Sequence, residues 1–323
     1  FDNVLLGFEA AVALLHGEWV KGVRKAQEGL QRLSLQGVFG LQGRFGFQVF
    51  WIRKSLGTLG ELHETADRVI SGIDDSARWL PGQILLHCDL GQSAEARAAL
   101  RRLGNLGDLP QDDLSQIALA FLAEACVRLN DRKRCALLFE LLTPYRGLNL
   151  TLRGTLMLGA ATGYLARLAG ALDRDSTARA LYEEAIELNA AMRAQPALAD
   201  VQAAYAGLLL RSRSEKDRTR AAKLMADARA IACGLELRPV LRSLDELSDE
   251  TGPASLTGRE IDVLGKLAAG SSNKVIARDL NISHSTVATH VRHIFRKIGV
   301  NNRTEAADFA RRRGVLDSDW PST

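Results

Sequence analysis

The chain has 323 residues, 46% of them hydrophobic, and a formal net charge of +4, so it can form two or three globular domains. It contains no run of about 18 apolar residues and no recognisable signal peptide, so the sequence predicts no membrane span. The charge is uneven. Residues 256–314 contain 11 Lys and Arg against 5 Asp and Glu, whereas the rest of the chain contains 31 against 33, which confines a predicted affinity for polyanions to the C-terminal segment.

Residues 1–247 are predicted to be all-α, a stack of helix pairs in a tetratricopeptide-like helical-repeat solenoid. Apolar residues recur there at intervals of three and four, and turn-forming residues recur roughly every 40 residues, the period of such repeats. The turns are expected at Gly17-Glu18, Gly57-Thr58, Gly91-Gln92, Asn130-Asp131, Asp173-Arg174 and 214–217. Because each repeat packs only on its neighbours, we expect an extended concave surface that takes an unidentified ligand or protein.

An internal similarity supports the repeats. Small and large apolar residues at helical spacing in 178–192 are matched 43 residues later in 221–235. The matched sets are Ala178, Leu181, Ala185, Leu188 and Met192, and Ala221, Leu224, Ala228, Ile231 and Leu235. Alanine at these positions lets neighbouring helices approach closely.

No catalytic site is predicted in the chain, because it has no phosphate-binding GxxxxGK[ST] loop and no nucleophile or carboxylate pair to recommend an enzyme. The tryptophans of this region are expected to pack in helix interfaces, and the four cysteines are expected to fill the core rather than form disulfides or bind metal. These residues are Trp19, Trp51, Trp79, Cys88, Cys126, Cys135 and Cys233.

A polar linker is predicted at 248–255, where Gly252-Pro253 interrupts any helix, and a domain of four short helices is predicted at 256–316. The local start and stop signals are a capping box at Thr257 and Glu260, a cap at Ser272 or Asn273, a cap at Ser283, and terminating glycines at 270 and 299.

The third of these helices has two different faces. Its apolar residues fall in one narrow sector at 100° per residue and form the predicted buried seam of Val287, Val291, Ile294 and Ile298. The opposite face presents Ser285, Thr289, Arg292, His293 and Arg296. Hydroxyl, imidazole and guanidinium groups on an exposed helix suit base edges in a major groove. The histidines at 284, 290 and 293 are explained better by this surface than by a metal site.

Phosphate contacts are predicted on the flanks of that helix, where cations and helix N-termini can meet the DNA backbone. The cations are Lys274, Lys297 and Arg303, and Asn301 joins them as a neutral donor.

The C-terminal segment closely resembles the LuxR-type helix-turn-helix family. The resemblance rests on Leu256-Thr257-x-Arg259-Glu260, Ser272-Asn273-Lys274-x-Ile276-Ala277, Ile282-Ser283-x-x-Thr286-Val287-x-Thr289-His290-Val291 and Lys297-x-Gly299-Val300-x-Asn302-Arg303-Thr304-Glu305-Ala306. It implies that the third helix enters the major groove, that positions 288, 289 and 292 touch DNA, and that the fourth helix, Thr304–Arg313, pairs two copies.

The sequence departs from the family at two positions, with Ala288 where Lys is usual and Val275 where Glu is frequent. Losing the lysine predicts lower affinity or an altered site preference, for which Arg292 and Arg296 can compensate. The complete predicted DNA-binding set is Lys274, Ser285, Thr286, Ala288, Thr289, Arg292, His293, Arg296, Lys297 and Arg303.

The repeat region is similar, more loosely, to the helical half of large bacterial regulators that end in a LuxR-type domain. The similar stretches are Leu122-Ala123-Glu124-Ala125-Cys126, Leu142-x-Pro144-Tyr145-x-Gly147, Tyr182-Glu183-x-Ala185-Ile186 and Asp217-Arg218-x-Arg220-Ala221. Such proteins have an upstream ATPase module. Since the chain starts at Phe1 without an initiator Met, we expect a fragment that needs no cofactor itself, with ATP bound in a missing upstream domain.

The sequence as a whole predicts a sequence-specific DNA-binding transcription regulator whose output domain is coupled to a helical-repeat sensor and assembly scaffold. Its expected partners are double-stranded DNA, RNA polymerase and a second copy of itself, in the bacterial cytoplasm at the nucleoid. The alternative is a protein-interaction scaffold with weak or vestigial DNA binding, which Ala288 favours.

Overall fold

The computed structural model describes residues 2–35, 39–62, 76–109, 112, 114–212, 214–251, 256, 258–280 and 282–312. The chain divides into two compact units. The helical unit comprises Phe1–Arg211 and Lys216–Leu241, and the C-terminal unit comprises Ser212–Glu215 and Arg242–Thr323.

The helical unit is built mainly of consecutive helices that pack on their neighbours in sequence. Its helices are α1 Asp2–His16, α2 Trp19–Leu35, α3 Phe39–Leu56, α4 Ser76–Asp89, α5 Ser93–Leu103, α6 Ser115–Arg128, α7 Arg132–Leu142, α8 Ala161–Ala171, α9 Asp175–Ala191, α10 Gln195–Leu210 and α11 Glu215–Gly234. Short 3₁₀ turns lie at Leu59–Leu62, Leu106–Asp108 and Thr143–Tyr145.

One type of turn recurs between the helices of this unit. The N–H of the residue after the turn donates to a carbonyl five residues earlier, as from Glu18 to Ala13 at 2.8 Å and from Arg174 to Ala169 at 2.9 Å. This is the 6→1 hydrogen bond of a Schellman motif, which needs a left-handed residue before the donor. Residues with positive φ occupy that position at Gly17, Gly57, Gly91, Asn130, Asp173, Arg193 and Glu236.

The first five predicted turns are therefore confirmed, and the turns at 193 and 236 are additional. At 214–217 the chain is already helical from Glu215. The first three matched pairs of the 43-residue repeat also occupy equivalent buried positions, since Ala178, Leu181, Ala185, Ala221, Leu224 and Ala228 are each 4% exposed or less. The last two pairs are half-buried. The tetratricopeptide label itself stays a prediction.

The helical unit contains one element that the sequence reading missed. Strands β1 Asn149–Leu152 and β2 Leu156–Ala160 pair antiparallel, where only helix was expected. Arg153 and Gly154 adopt positive φ in the connecting turn. The burial of β1 alternates, as in a strand with one face toward the core.

The expectation that each repeat packs only on its neighbours is also wrong. Helix α1 packs against β2 and α10, which are far from it in sequence. The buried amide of Gln48 in α3 links these parts, because its Nε2 donates to the carbonyl oxygens of Gly7 at 3.3 Å and of Thr155. The first helix is thereby anchored to the hairpin.

The predicted packing of the tryptophans is confirmed. Trp79 stacks on Phe47 with ring centroids 4.0 Å apart, Trp51 stacks on Phe121, and the Trp19 indole donates to the Leu235 carbonyl at 2.9 Å.

The prediction that the cysteines fill the core is correct for Cys126 and Cys135, which are buried, and less fully for Cys88, which is half-buried. It is wrong for Cys233, which is exposed.

Helix α12, Arg238–Thr251, continues into the segment predicted as a linker. Residues 248–251 are therefore helical, and the Ser248 hydroxyl donates to the Leu244 carbonyl at 2.7 Å inside the helix. The rest of the predicted linker, 252–255, lies outside the described residues.

Four short helices form the compact part of the C-terminal unit: α13 Gly258–Ala268, α14 Asn273–Asp279, α15 His284–Ile298 and α16 Arg303–Arg312. Helix α13 packs on the other three, and α15 also packs on α14 and α16. They share a core of Leu256, Val263, Leu264, Leu267, Ile276, Ala277, Val287, Ile294, Ile298, Ala306 and Ala310.

The predicted caps of these helices are present. The hydroxyls of Ser272 and Ser283 accept from the N–H groups of Val275 at 3.4 Å and Thr286 at 3.1 Å. Gly270 and Gly299 have φ of 86° and 70°, in the left-handed conformation that ends a helix. The capping box predicted at Thr257 involves a residue outside the described ones.

Candidate nucleic-acid interface

Helix α15 is fixed to the domain by the seam that the sequence predicted. Val287 and Ile294 are fully buried and Ile298 is 8% exposed, while Val291 is half-buried against the same core. Burial of one edge fixes the rotation of the helix about its axis, and so determines which side chains face solvent.

The opposite edge of α15 presents polar side chains. Thr286, Thr289 and Arg292 are exposed, and Ala288 and His293 are half-buried. Ser285 and Arg296 lie on the same helix, but their side chains are outside the described part. Over about two helical turns this edge offers a hydroxyl, a guanidinium and an imidazole, the groups that suit base edges in a major groove.

Thr286 has a second role at the start of α15. Its hydroxyl lies 2.7 Å from that of Ser283, and its N–H donates to the same Ser283 oxygen. The hydroxyl of Thr286 therefore belongs to the N-terminal cap, a role that the sequence analysis did not assign to it.

Two cations of the predicted set are exposed and make no hydrogen bond or ion pair within the described residues. Arg292 lies on the outward edge of α15, and Lys274 is the second residue of α14. Helix N-termini attract anions through their free N–H groups and dipole. Lys274 is therefore placed where a phosphate gains from both the ammonium and the helix end.

Lys297 instead forms an ion pair inside the domain. Its Nζ lies 2.6 Å from Oε2 of Glu260, whose side chain is only 6% exposed, while that of Lys297 is 31% exposed. The pair joins the end of α15 to the start of α13. A buried carboxylate requires a cationic partner, and Lys297 supplies it; its contact with a phosphate stays a prediction.

Arg303 is also directed into the domain. Its guanidinium donates to the carbonyl oxygens of Ser271 and Leu267, the latter at 3.4 Å, and to Oδ1 of Asn273 at 3.4 Å. Leu267 is in the last turn of α13 and also accepts from the Gly270 N–H at 3.1 Å, whereas Ser271 lies in the turn after the helix. One side chain thereby ties α16 to the turn between α13 and α14.

Glu260 and the capping pair of α16 are structural residues whose roles the sequence analysis missed. The Asn302 side chain accepts from the Glu305 N–H at 2.9 Å, and the Glu305 carboxylate accepts from the Asn301 N–H at 2.8 Å and the Asn302 amide at 2.7 Å. This resembles a capping box, except that the Glu305 carboxylate reaches the N–H of Asn301 and the side chain of the cap residue Asn302. The spacing Asn-x-x-Glu was the available signal, and it gives Asn301 a role in the cap.

Helix α16 begins at Arg303 and is described to Arg312, close to the predicted range of Thr304 to Arg313. Its alanines at 306, 307 and 310 are buried. Its outer face is mostly charged, with Thr304, Glu305, Asp308, Arg311 and Arg312 exposed.

Metal-ligand groups are not clustered in the described part of the chain, where no three His, Cys, Asp or Glu side chains are placed to hold an ion. None of the described helices is both long and apolar enough to span a membrane.

Residues 254–310 match the family model for bacterial regulatory proteins of the luxR family. The C-terminal region is similar to the monoamine regulon transcriptional regulator of Klebsiella aerogenes, 49% identical over 71 residues, 22% of this chain and 29% of that protein. It is similar to the CsgBAC operon transcriptional regulatory protein of Escherichia coli, 50% identical over 62 residues, 19% of this chain and 29% of that protein. A third relative is the nitrate/nitrite response regulator protein NarP of Escherichia coli, 47% identical over 77 residues, 23% of this chain and 36% of that protein.

A buried seam, an exposed polar edge and cationic flanks on four capped helices define a helix-turn-helix DNA-binding domain. By the family match, this C-terminal domain belongs to the LuxR family of bacterial transcription regulators. The chain spans about a third of the length of these three relatives. No solved structure shows a significant match to the chain.

Proposed function

We propose that the protein is a sequence-specific transcription regulator that inserts α15 into the major groove of DNA. The observation that carries this proposal is the exposed polar edge of α15, with Thr289 and Arg292 directed away from the buried seam. A helix held along one edge and exposed along the other can enter a groove without disturbing its own core.

Within this proposal, Thr289, Arg292 and His293 are the base-contacting side chains, and Lys274 contacts a phosphate. Ser285 and Arg296 belong to the same set by their position along α15. Lys297 and Arg303 are better suited to holding α15 and α16 in place, because their cationic groups already have acceptors inside the domain.

The helical unit is proposed to receive a signal and to control how two DNA-binding domains come together. Two domains that meet through α16 would occupy adjacent half-sites, and the second contact would gain from being intramolecular. The bound pair would then influence RNA polymerase at the promoter, in the bacterial cytoplasm. The charged outer face of α16 favours a polar, reversible pairing surface over a permanent apolar one.

The test is fluorescence anisotropy of the full chain with duplex DNA across a salt series. Each neutralised phosphate contributes about −0.9 to the slope of log affinity against log salt. We expect a slope of several phosphates, reduced by the Lys274→Gln/Arg292→Gln double substitution. Selection of duplexes by the wild-type chain from a random pool then identifies the operator.

The competing function is a protein-interaction scaffold with vestigial DNA binding, and Ala288 is the residue that favours it. Ala288 is half-buried on α15, at a position where the resemblance predicts a lysine. Replacing it with lysine should strengthen DNA binding if the domain still enters the groove. Absence of salt-dependent binding in both the wild-type chain and Ala288→Lys would leave the scaffold as the function.

A further inference from the structure

A cleft of about 550 Å³ opens in the helical unit, at the ends of helices α6, α8 and α10. This volume lies within the range of small-molecule sites. Apolar side chains and small residues form one side, including Val127, Ala204 and Leu208. Polar groups form the other, and three of them are the arginines at 132, 167 and 211.

Two of these arginines are already paired. Arg132 donates to Asp173 Oδ2 at 2.7 Å and to the Ala171 carbonyl at 3.0 Å. Arg167, with a side chain only 16% exposed, pairs with Asp200 at 2.6 Å. Arg132 and Arg167 thus neutralise the carboxylates of Asp173 and Asp200, and Arg132 also satisfies a helix-end carbonyl. Much of the negative charge that would repel an anion is thereby removed.

The third arginine and a buried tyrosine are not paired. Arg211 is exposed at the end of α10, and its guanidinium makes no hydrogen bond or ion pair within the described residues. Tyr182 is 4% exposed and its ring stacks on that of Tyr205 at 5.1 Å, yet its hydroxyl has no hydrogen-bond partner among the described residues. The hydroxyl belongs to the wall of the open cleft, where it is available to donate to a bound ligand.

Tyr182 and Arg211 line the same cleft. Burial raises the pKa of Tyr182 to about 12; the positive charge of Arg167 opposes that rise, the Asp200 carboxylate adds to it, and Arg211 opposes it more weakly. Both guanidiniums therefore act on the hydroxyl. A neutral hydroxyl donor beside an unpaired guanidinium is a suitable pair of donors for one oxyanion.

We propose that this cleft binds a small organic anion, whose oxyanion accepts from Arg211 and the Tyr182 hydroxyl while its apolar part lies on Val127 and Leu208. The helix ends work against such a ligand, since each C-terminus contributes a partial negative charge. At exposed helix ends that repulsion is weaker than a hydrogen bond to a charged group. The anion is favoured, with modest affinity.

The test measures the thermal unfolding of the full chain with sodium benzoate, sodium phenyl phosphate or the neutral benzamide, at matched ionic strength. A ligand that binds the folded state raises Tm in proportion to the logarithm of its concentration above Kd. We expect benzoate or phenyl phosphate to raise Tm and benzamide to leave it unchanged. The anion that raises Tm more at equal concentration shows whether the cleft prefers a carboxylate or a phosphate ligand.

Variants locate the site. Arg211→Gln and Tyr182→Phe should each weaken the apparent affinity about tenfold or more, while Arg102→Gln, at an exposed arginine outside the cleft, should leave it unchanged. Tyr182→Phe keeps the ring that stacks on Tyr205, and each variant's Tm without ligand reports whether it folds. The proposal is overturned if neither anion raises Tm, if benzamide raises it equally, or if the folded Arg211→Gln and Tyr182→Phe variants respond like the wild type. These outcomes do not depend on DNA binding.

Discussion

Replacing Arg303 with Gln should destabilise the C-terminal domain without removing a phosphate contact. The guanidinium makes three hydrogen bonds, to the carbonyls of Ser271 and Leu267 and to Asn273. A hydrogen bond to a charged group contributes about 1.5–3 kcal/mol, but two of these three are long, so we expect a total loss of about 2–3 kcal/mol. For a domain of this size, that corresponds to a fall in Tm of about 10 °C or more.

The assay compares Tm and the salt dependence of DNA binding in the same full-length variants. Below its Tm, Arg303→Gln should bind DNA more weakly than the wild type, because the turn that positions α14, and with it Lys274, is held less firmly. Its slope of log affinity against log salt should nevertheless equal that of the wild type. Lys274→Gln is the matched control, since it should keep the wild-type Tm and lower the slope by about 0.9.

The reasoning about Arg303 is refuted if Arg303→Gln keeps the wild-type Tm and loses about 0.9 of the slope, because that result is the signature of a phosphate contact.

Arg292→Gln extends the comparison to base recognition. It should cost roughly 1–3 kcal/mol on the specific site and much less on random DNA. Equal losses on both kinds of DNA would remove Arg292 from the base-contacting set.

Three further predictions concern stability and reactivity. Gly299→Ala should cost about 1 kcal/mol in unfolding free energy, because Gly299 ends α15 with φ of 70°; an unchanged denaturant midpoint would contradict this. Burial alone would raise the pKa of Glu124, but Lys54 and Arg128 outweigh it and lower that pKa to about 2 from an ordinary 4.5. This depressed pKa contributes on the order of 3 kcal/mol to the stability of the fold above pH about 4.5, and that contribution is lost as pH falls toward 2. The difference in unfolding free energy between the wild type and Glu124→Gln, measured by urea unfolding, should therefore become smaller as pH falls through that window; a larger difference would contradict the prediction. Cys233 is exposed while the other three cysteines are buried or half-buried, so a thiol reagent should modify one cysteine fast in the folded chain and all four in denaturant; loss of the fast phase in Cys233→Ser identifies it.

The features predicted well from sequence are those set by local interactions. A cap such as Ser272 or Ser283 acts on an N–H group three residues away, and a glycine such as Gly270 or Gly299 sets its own φ. The seam of α15 follows from spacing alone. All of these signals lie within one helix and its flanks, so the boundaries of α14 and α15 could be read from the sequence before any packing was known.

The features predicted poorly depend on contacts between distant parts of the chain. The hairpin of β1 and β2 occupies a short leucine-rich stretch whose pattern does not distinguish strand from helix. Its place is set by α1 and by Gln48, which lie more than 100 residues earlier and contact it through the core. No window of local sequence contains that information, and the same is true of the packing of α1 on α10.

The cations of the C-terminal domain show why residue type alone does not assign a role. Lys274 and Lys297 have the same chemistry, yet one faces solvent at a helix start and the other pairs with buried Glu260. The signal for the second was Glu260 itself, because an acid at an otherwise apolar helix position requires a cation inside the domain. Assigning partners to buried acids before assigning phosphates to cations would have predicted the Lys297–Glu260 pair. Arg303 carried no comparable signal, because the carbonyls it meets belong to the backbone and leave no trace in the sequence.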